Sequence, residues 1–304
     1  MSSFSQLKNS RKADLEKLTS ELKKANSPQT NSSEDDRFWQ PTVDKGGNGF
    51  AVIRFLPAAD GEDVPFVKFW DHGFQGPGGW YIEKSLTTIG QPDPVGEYNT
   101  ALWNTGLDSN KEIVRKQKRR LHYISNIYVV SDPGNSDNEG KVFLYKYGKR
   151  IFDKLNEAIT PPFDEKGRTP TTPGYDPTNS FNPFDLWEGA NFKLKIRKVD
   201  GQRNYDRSEF DSPAVLEGMS DEQLEEVWKR EYALKAFIDP KNFKTYDELK
   251  TRFDRVIGKS SIPVNKETMR QEAPKTMKET SAPWDSDPDD DDDTIAFFKK
   301  VANE

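Results

Sequence analysis

The sequence of 304 residues contains no cysteine and only two histidines, His72 and His122. The absence of cysteine excludes disulfides, thiolate metal sites and cysteine-based catalysis, and it fits a reducing compartment. Two histidines leave few options for histidine catalysis or metal binding. No apolar run reaches the roughly eighteen residues that a membrane span needs. The N-terminus also lacks the apolar segment and cleavage pattern of a signal peptide.

Apolar residues are scarce as well. They make up 33% of the chain, and the mean hydropathy is −0.92. Such a polar composition predicts a modest core flanked by disordered ends. The length allows one large domain or two ordinary ones.

The charge distribution is uneven. The net charge is −6, but seven aspartates lie between Asp285 and Asp293, and without them the rest of the chain is close to neutral. Within that rest, the positive charges are concentrated in residues 111–120, 141–150 and 193–198. This pattern predicts a basic face on one domain and an acidic tail elsewhere.

The chain divides into four segments by composition. Residues 1–25 resemble a short amphipathic helix, with leucines at helical spacing, and residues 26–37 have linker composition. Residues 38–258 hold nearly all the aromatic and branched apolar residues and are expected to form the folded core. Residues 259–304 form a polar tail that contains the aspartate run.

The core is predicted to be mainly β with added helices, an α+β fold. Runs of β-forming residues are bracketed by Gly, Pro, Asn or Asp, a pattern typical of a small β-barrel or sandwich with long excursions. The candidate strands are Phe50–Leu56, Phe66–Trp70, Trp80–Glu83, Tyr123–Val130, Lys141–Tyr147 and Phe192–Val199. Two helices are predicted near the end of the core from capping-box patterns that begin at Ser220 and Thr245, the second ending at Gly258.

Three core stretches interleave cations with aromatic residues. Unpaired nucleic acid offers phosphates and flat bases, so a sequence-tolerant binder needs cations along a groove with ring faces beside them. The alternative is that these are solvated strand faces and core tyrosines. The candidate binding residues are Trp103, Arg115, Lys116, Lys118, Arg119, Arg120 and Tyr123; then Tyr145, Lys146, Tyr147, Lys149 and Arg150; and then Lys193, Lys195, Arg197, Arg203 and Tyr205.

Both ends of the chain carry weaker signals. In the tail, Asp289, Asp290, Asp291, Asp292 and Asp293 precede Phe297 and Phe298. Acid followed by a short apolar motif suits docking into a basic-rimmed pocket on a partner, although a solubility tail has a similar composition. Near the other end, Lys8, Ser10, Arg11 and Lys12 are candidates for contact with a neighbouring protomer, or for an ordinary surface helix.

Several strings resemble one protein family, the single-stranded-DNA-binding, helix-destabilising proteins of T-even-type tailed bacteriophages. The resemblance covers most of the chain. Its densest parts are residues 49–57 (GFAVIRFLP), 72–74 (HGF), 80–83 (WYIE), 138–143 (NEGKVF), 148–149 (GK) and 187–192 (WEGANF).

The resemblance implies a three-part protein in the cytoplasm of an infected bacterial host. A flexible N-terminal arm would drive cooperative protomer contacts, an OB-fold core would bind DNA, and a disordered acidic tail would contact replication, recombination and repair proteins. The family's stacking aromatics correspond to Tyr81, Trp103, Tyr123, Tyr145 and Tyr205. The basic run that precedes a stacking tyrosine corresponds to Lys118, Arg119 and Arg120.

The chain departs from the family at a metal site. The family typically binds a structural zinc through one histidine and three cysteines. His72 stands at the histidine position, but Ser85 and Gly96 occupy two of the thiolate positions. We therefore expect a core without zinc or any other cofactor.

Two other classes of function stay open at this stage. An adaptor could use the basic face to bind structured RNA or an acidic partner. A nuclease would need metal-binding carboxylates beside the basic groove, and no such motif is legible. The leading hypothesis is a non-enzymatic protein that coats single-stranded DNA cooperatively and largely without sequence preference.

Overall fold

The computed structural model describes residues 35–174, 176–177, 180–199 and 201–259. These residues form a mixed α+β fold with nine strands and five α-helices. The strands are β1 (Phe38–Trp39), β2 (Gly49–Phe55), β3 (Phe66–Gly76), β4 (Gly79–Lys84), β5 (Arg120–Ser131), β6 (Val142–Tyr147), β7 (Phe192–Val199), β8 (Gln202–Asn204) and β9 (Glu209–Phe210). The helices are α1 (Pro94–Asn104), α2 (Asp108–Gln117), α3 (Lys149–Ile159), α4 (Asp221–Trp228) and α5 (Tyr246–Val256).

The long strand β5 organises the sheet. It pairs antiparallel with β6 along one edge, and it divides its other edge between β3 and β2. The sheet continues from β2 to β7 and β8, with β4 paired to β3 and β9 paired to β7. The strands of the described ranges do not close into a ring. The predicted α+β class is therefore confirmed, while a closed barrel is not seen.

The main core lies on one face of this sheet. Side chains alternate along a strand, so residues two apart share a face. The burial pattern of β7 follows this rule, because Phe192, Leu194 and Ile196 are buried between half-buried cations. They pack with Phe55 of β2 and Tyr123 of β5 in an aromatic-rich cluster.

A smaller core lies around the β3–β4 hairpin. Phe74 of β3 and Tyr81 of β4 pack against Val95 of α1 and Phe253 of α5. Helix α5 begins at the predicted capping box, in which the Thr245 side chain and the side chain of Glu248 cap each other's backbone N–H groups. This second core fixes the position of α1, which carries Trp103 of the candidate site.

Among the helices that the structure describes, none combines the length and the apolar character that crossing a bilayer requires.

Candidate nucleic-acid interface

Two of the three predicted basic stretches meet at one end of the sheet. Strands β5 and β6 are antiparallel, with Tyr123 opposite Tyr147, so the start of β5 lies beside the end of β6. Arg119 and Arg120, at the start of β5, are half-buried. Lys149 follows β6 and is exposed. We call this end of the sheet, with residues 118–120 and 149–150, the basic end.

Helix α3 brings the third stretch next to the basic end. It begins directly after β6, and the guanidinium of Arg150 in its first turn lies 3.9 Å from the carboxylate of Asp206. One turn later, the ammonium of Lys154 donates a hydrogen bond of 3.1 Å to the backbone carbonyl of Asp206. The loop that carries Tyr205 therefore adjoins the first turns of α3, although the sequence places the two segments about fifty residues apart.

The predicted stacking tyrosines are buried. Tyr123, Tyr145, Tyr147 and Tyr205 all belong to the main core. The ring of Tyr123 lies parallel to that of Phe152 of α3, with centroids 3.9 Å apart. The ring of Phe152 therefore covers a face of Tyr123 that a base would use, and stacking on that face requires movement of α3. Their role in DNA binding stays a prediction.

Tyr81 is buried in the smaller core. Its ring stacks on Phe74 with centroids 5.2 Å apart and meets the edge of Phe253. Burial, together with the nearby charges of Asp93 and Glu83, raises the pKa of the Tyr81 hydroxyl. Tyr81 therefore helps to hold the β3–β4 hairpin against α5, and a base could reach it only through a rearrangement of that contact.

Lys146 points away from the tyrosines that flank it. Strand alternation places Tyr145 and Tyr147 on the main-core face and Lys146 on the other face. There its ammonium lies 3.0 Å from the carboxylate of Asp71, which also accepts a hydrogen bond of 3.1 Å from His122. Burial alone would raise the pKa of Asp71, but the charges of Lys146 and His122 hold it well below its ordinary value. This ion pair gives Lys146 a structural role that the sequence pattern did not indicate.

The β7 cations share one face, as predicted, but carboxylates lie beside two of them. The ammonium of Lys193 is 2.8 Å from Asp211, and that of Lys195 is 2.7 Å from Glu209. The hydrogen bond from Lys195 lowers the pKa of Glu209, which keeps that carboxylate charged. Arg197 donates a hydrogen bond of 3.3 Å to the side-chain oxygen of Asn204. Much of the positive charge of this stripe is therefore balanced within the sheet.

Helices α1 and α2 carry the remaining residues of the first stretch. Trp103 of α1 is half-buried, and the ammonium of Lys111 lies 6.0 Å from its ring centroid. Arg115 and Lys116 are exposed on α2, and Arg115 forms an ion pair with Glu112 one turn earlier. Lys118, at the end of α2, is buried, and Arg203 on β8 is half-buried.

The sequence interpretation missed one aromatic residue. Trp70 of β3 is half-buried, and the guanidinium carbon of Arg119 lies 4.1 Å from the centroid of its ring. Lys68, two residues earlier and exposed, has its ammonium 5.8 Å from the same ring. Lys68 and Trp70 alternate with the apolar Val67 and Phe69. This alternation is the sequence signal that could have placed Lys68 and Trp70 on one face of the strand.

A hydrogen-bond network occupies the place where the resemblance implies zinc. The carboxylate of Asp93 accepts hydrogen bonds from the ring of His72 (3.1 Å), the hydroxyl of Ser85 (3.0 Å) and the backbone N–H of Gly96 (3.1 Å). The other ring nitrogen of His72 lies 3.0 Å from the backbone carbonyl of Gln117. Burial alone would raise the pKa of Asp93, but the hydrogen bond and charge of His72, with backbone N–H groups, lower it to about 2.

The donors of this network do not fit a structural zinc ion. Both ring nitrogens of His72 face acceptor oxygens, so neither directs a lone pair at a metal. The chain supplies no thiolate. Within the described ranges, no group of three or more metal-binding side chains comes together.

The predicted terminal contacts lie outside the described residues. These are the protomer-contact candidates Lys8, Ser10, Arg11 and Lys12 and the tail candidates Asp289, Asp290, Asp291, Asp292, Asp293, Phe297 and Phe298.

An α+β fold that gathers guanidinium and ammonium groups beside aromatic rings at one end of a sheet belongs to the class of proteins that bind nucleic acids. Residues 47–257 match the family model described as gp32 DNA binding protein like. The chain belongs to this family, which is one of binding proteins and not of enzymes.

Curated relatives agree with this assignment. The chain is 38% identical over 270 residues to the single-stranded DNA-binding protein of Enterobacteria phage T4. The aligned region covers 87% of this chain and 85% of the relative. It is 39% identical over 256 residues to the protein of the same name from Enterobacteria phage T2, with 83% and 80% covered. A shorter match, 46% identical over 85 residues, joins it to the single-stranded DNA-binding protein of Escherichia phage SV14, with 27% and 73% covered.

Proposed function

We propose that this protein binds single-stranded DNA largely without sequence preference and so coats and protects exposed strands during phage DNA replication, recombination and repair. The observation that carries the proposal is the meeting of two basic stretches at the basic end, with Trp70 beside them. The names of the phage relatives support the same ligand. The site of action is then the infected bacterial cell.

The chemistry at the basic end suits a sequence-tolerant ligand. Guanidinium and ammonium groups bind phosphates, which carry no sequence information, and displace condensed counterions as they do so. Base stacking on aromatic rings adds about 1–3 kcal/mol per base and is also tolerant of sequence, because every base has a flat face. The strand would run past Arg119 and Arg120 toward Lys149 and Arg150 of α3.

The proposed core architecture is an OB-fold, which is a five-stranded and partly open barrel. The division of one β5 edge between β2 and β3, with β6 on the other edge, supports this architecture. A partly open barrel also agrees with a sheet that is not closed.

We extend the proposal to a core that folds without zinc. Asp93 joins His72, Ser85 and Gly96, and these are three positions at which the resemblance places metal ligands. A buried carboxylate with several hydrogen-bond donors then takes over the cross-linking that a metal ion would supply.

The two ends of the chain complete the proposal. The N-terminal arm, with Lys8, Ser10, Arg11 and Lys12, contacts the neighbouring protomer and makes coating cooperative. The acidic tail, with the aspartates 289–293 followed by Phe297 and Phe298, docks on replication and recombination proteins and competes with DNA for the basic end.

A fluorescence titration tests the proposal. Poly(dT) is added to the full chain at low salt, and quenching of tryptophan emission reports binding. The expected result is that poly(dT) quenches the emission and that added duplex RNA does not reverse the quenching. No quenching by poly(dT), or preference for the duplex RNA, overturns the proposal, and the second outcome favours an RNA-binding adaptor.

A further inference from the structure

Trp70 lies at the rim of the main core, at the basic end. On β3, Phe66, Lys68 and Trp70 share one face, and Phe66 packs against the main core. Cross-strand pairing places Trp70 opposite Leu121, which also packs against this core. The ring therefore extends the core outward to the point where β5 begins.

The backbone around Trp70 is fixed on both sides. Its N–H donates a hydrogen bond of 2.8 Å to the hydroxyl of Thr88, and its carbonyl accepts one of 2.9 Å from the N–H of Ser85. The backbone position of Trp70 is thus set by the strand and by the turn after β4. A preorganised backbone reduces the conformational freedom that is lost when a ligand binds.

Two cations lie over this ring. The guanidinium carbon of Arg119 is 4.1 Å from the ring centroid, and the ammonium of Lys68 is 5.8 Å from it. A cation over an indole face is held by the quadrupole of the ring. The same arrangement puts a phosphate-binding group within one nucleotide's reach of a stacking surface.

We propose that Trp70 and Arg119 together bind one nucleotide of the single strand, the guanidinium turning from the ring to the adjoining phosphate and the base stacking on the indole face that it vacates. This inference rests on the proposed function and adds a stacking residue to it. It also places a ring for base contact outside the set of tyrosines that the main core buries.

Trp187 provides a matched comparison. It is 51% exposed, yet its indole N–H donates a hydrogen bond of 2.8 Å to the carboxylate of Asp221, and Glu188 follows it in the chain. Carboxylates beside a ring repel phosphates. An exposed tryptophan in acidic surroundings therefore serves as the control for one in basic surroundings.

The experiment compares substitutions at the two tryptophans in the full chain. With Trp70→Phe, the fraction of tryptophan emission quenched by poly(dT) is expected to fall clearly, while affinity stays close to that of the unsubstituted protein. With Trp187→Phe, the quenched fraction stays the same or rises. With Trp70→Ala, affinity for oligo(dT) is expected to fall about 5- to 150-fold, the range for loss of one base stack.

Salt dependence separates the two roles. Trp70→Ala should leave the slope of log affinity against log salt unchanged, because stacking releases no counterions, whereas Arg119→Gln should reduce the slope by about 0.7. Because both side chains serve one nucleotide, their effects in the double variant should be less than additive.

Two results would overturn this inference while leaving the proposed function intact. One is equal quenching in Trp70→Phe and the unsubstituted protein. The other is unchanged affinity in a folded Trp70→Ala variant. Absence of quenching in the unsubstituted protein instead removes the proposed function itself. If Trp70→Ala does not fold, the quenched fraction of Trp70→Phe decides alone.

Discussion

The carboxylate of Asp93 lies 3.1 Å from a ring nitrogen of His72, and both side chains are buried. Asp93 also caps α1, because it accepts hydrogen bonds from the backbone N–H groups of Val95 and Gly96. One carboxylate thus ties β3, the turn after β4 and the start of α1 together. The β3–β4 hairpin and α1 depend on this residue for their relative position.

Substitution of Asp93 by Asn should destabilise the protein by roughly 2–4 kcal/mol, since it removes a charged acceptor from a buried network and leaves donors unsatisfied. The free energy of unfolding in urea measures the loss. Asp108→Asn is the control, because Asp108 is exposed and its ion pair with Lys111, at 3.3 Å, lies at the surface one turn away.

Treatment with a chelator tests the zinc-free core. Prolonged treatment of the unsubstituted protein with a chelator should leave its thermal midpoint unchanged. A large drop on chelation would contradict the proposal that hydrogen bonds replace the metal.

Glu231 predicts a pH-dependent stability. Both of its carboxylate oxygens are buried and have no hydrogen-bond partner among the described residues. Burial, with the charge of Glu62, raises the pKa of Glu231 from 4.5 to about 8. Between these values the folded state holds a proton that the unfolded state releases, so stability falls as the pH rises from about 4.5 to about 8.

Glu231→Gln should remove this dependence. The variant is expected to melt at a higher temperature than the unsubstituted protein at pH 8, and the difference should shrink toward pH 5. Calorimetry across this range measures it, with the exposed Glu226→Gln as the control. Parallel pH profiles for the unsubstituted protein and Glu231→Gln would show that Glu231 is ionised in the folded state.

Neutralising two acids beside β7, Glu209 of β9 and Asp211 directly after it, should raise the affinity for DNA. Glu209 and Asp211 hold Lys195 and Lys193 in ion pairs. If the β7 stripe lies along the path of DNA, Glu209→Gln with Asp211→Asn frees two cations, and affinity for oligo(dT) should rise several-fold with a steeper salt dependence. Unchanged binding would place the stripe outside the DNA path.

Removal of the acidic tail should also raise the affinity for DNA, but in a way that depends on salt. Removal of residues 281–304 takes away the seven aspartates that lie between Asp285 and Asp293. If the tail competes with DNA for the basic end, the shortened protein should bind oligo(dT) more tightly at low salt, and the difference should diminish at high salt as screening increases. Identical titration curves for the two proteins would leave the tail without this role.

Local patterns predicted much of the fold. All six candidate strands exist, because runs of branched and aromatic residues between turn residues favour strands. The capping boxes at Ser220 and Thr245 start α4 and α5 as predicted. Helices α1 to α3 were not predicted. In α2 the reason is visible, since only Val114 and Gln117 are buried and an apolar stripe is therefore almost lacking.

The candidate site was harder to predict, because it depends on strand register. The clusters of cations are visible in the sequence itself, and antiparallel pairing does bring residues 118–120 next to residues 149–150. Sequence could not show that Glu209 lies opposite Lys193, or that Tyr123 faces Phe152. Cations and rings that look alike in a sequence differ in what lies across the sheet from them.

If cations at the basic end contact DNA phosphates, binding depends on salt, and a salt titration of oligo(dT) binding measures this dependence. Arg150→Gln is compared with Lys229→Gln, because Lys229 directly follows α4 and forms ion pairs with Glu225 and Glu226. Affinity should fall steeply with salt, Arg150→Gln should reduce the slope by about 0.7, and Lys229→Gln should leave the slope unchanged. Binding that is insensitive to salt, or an equal slope in all three proteins, would show that the cations of the basic end do not contact phosphates.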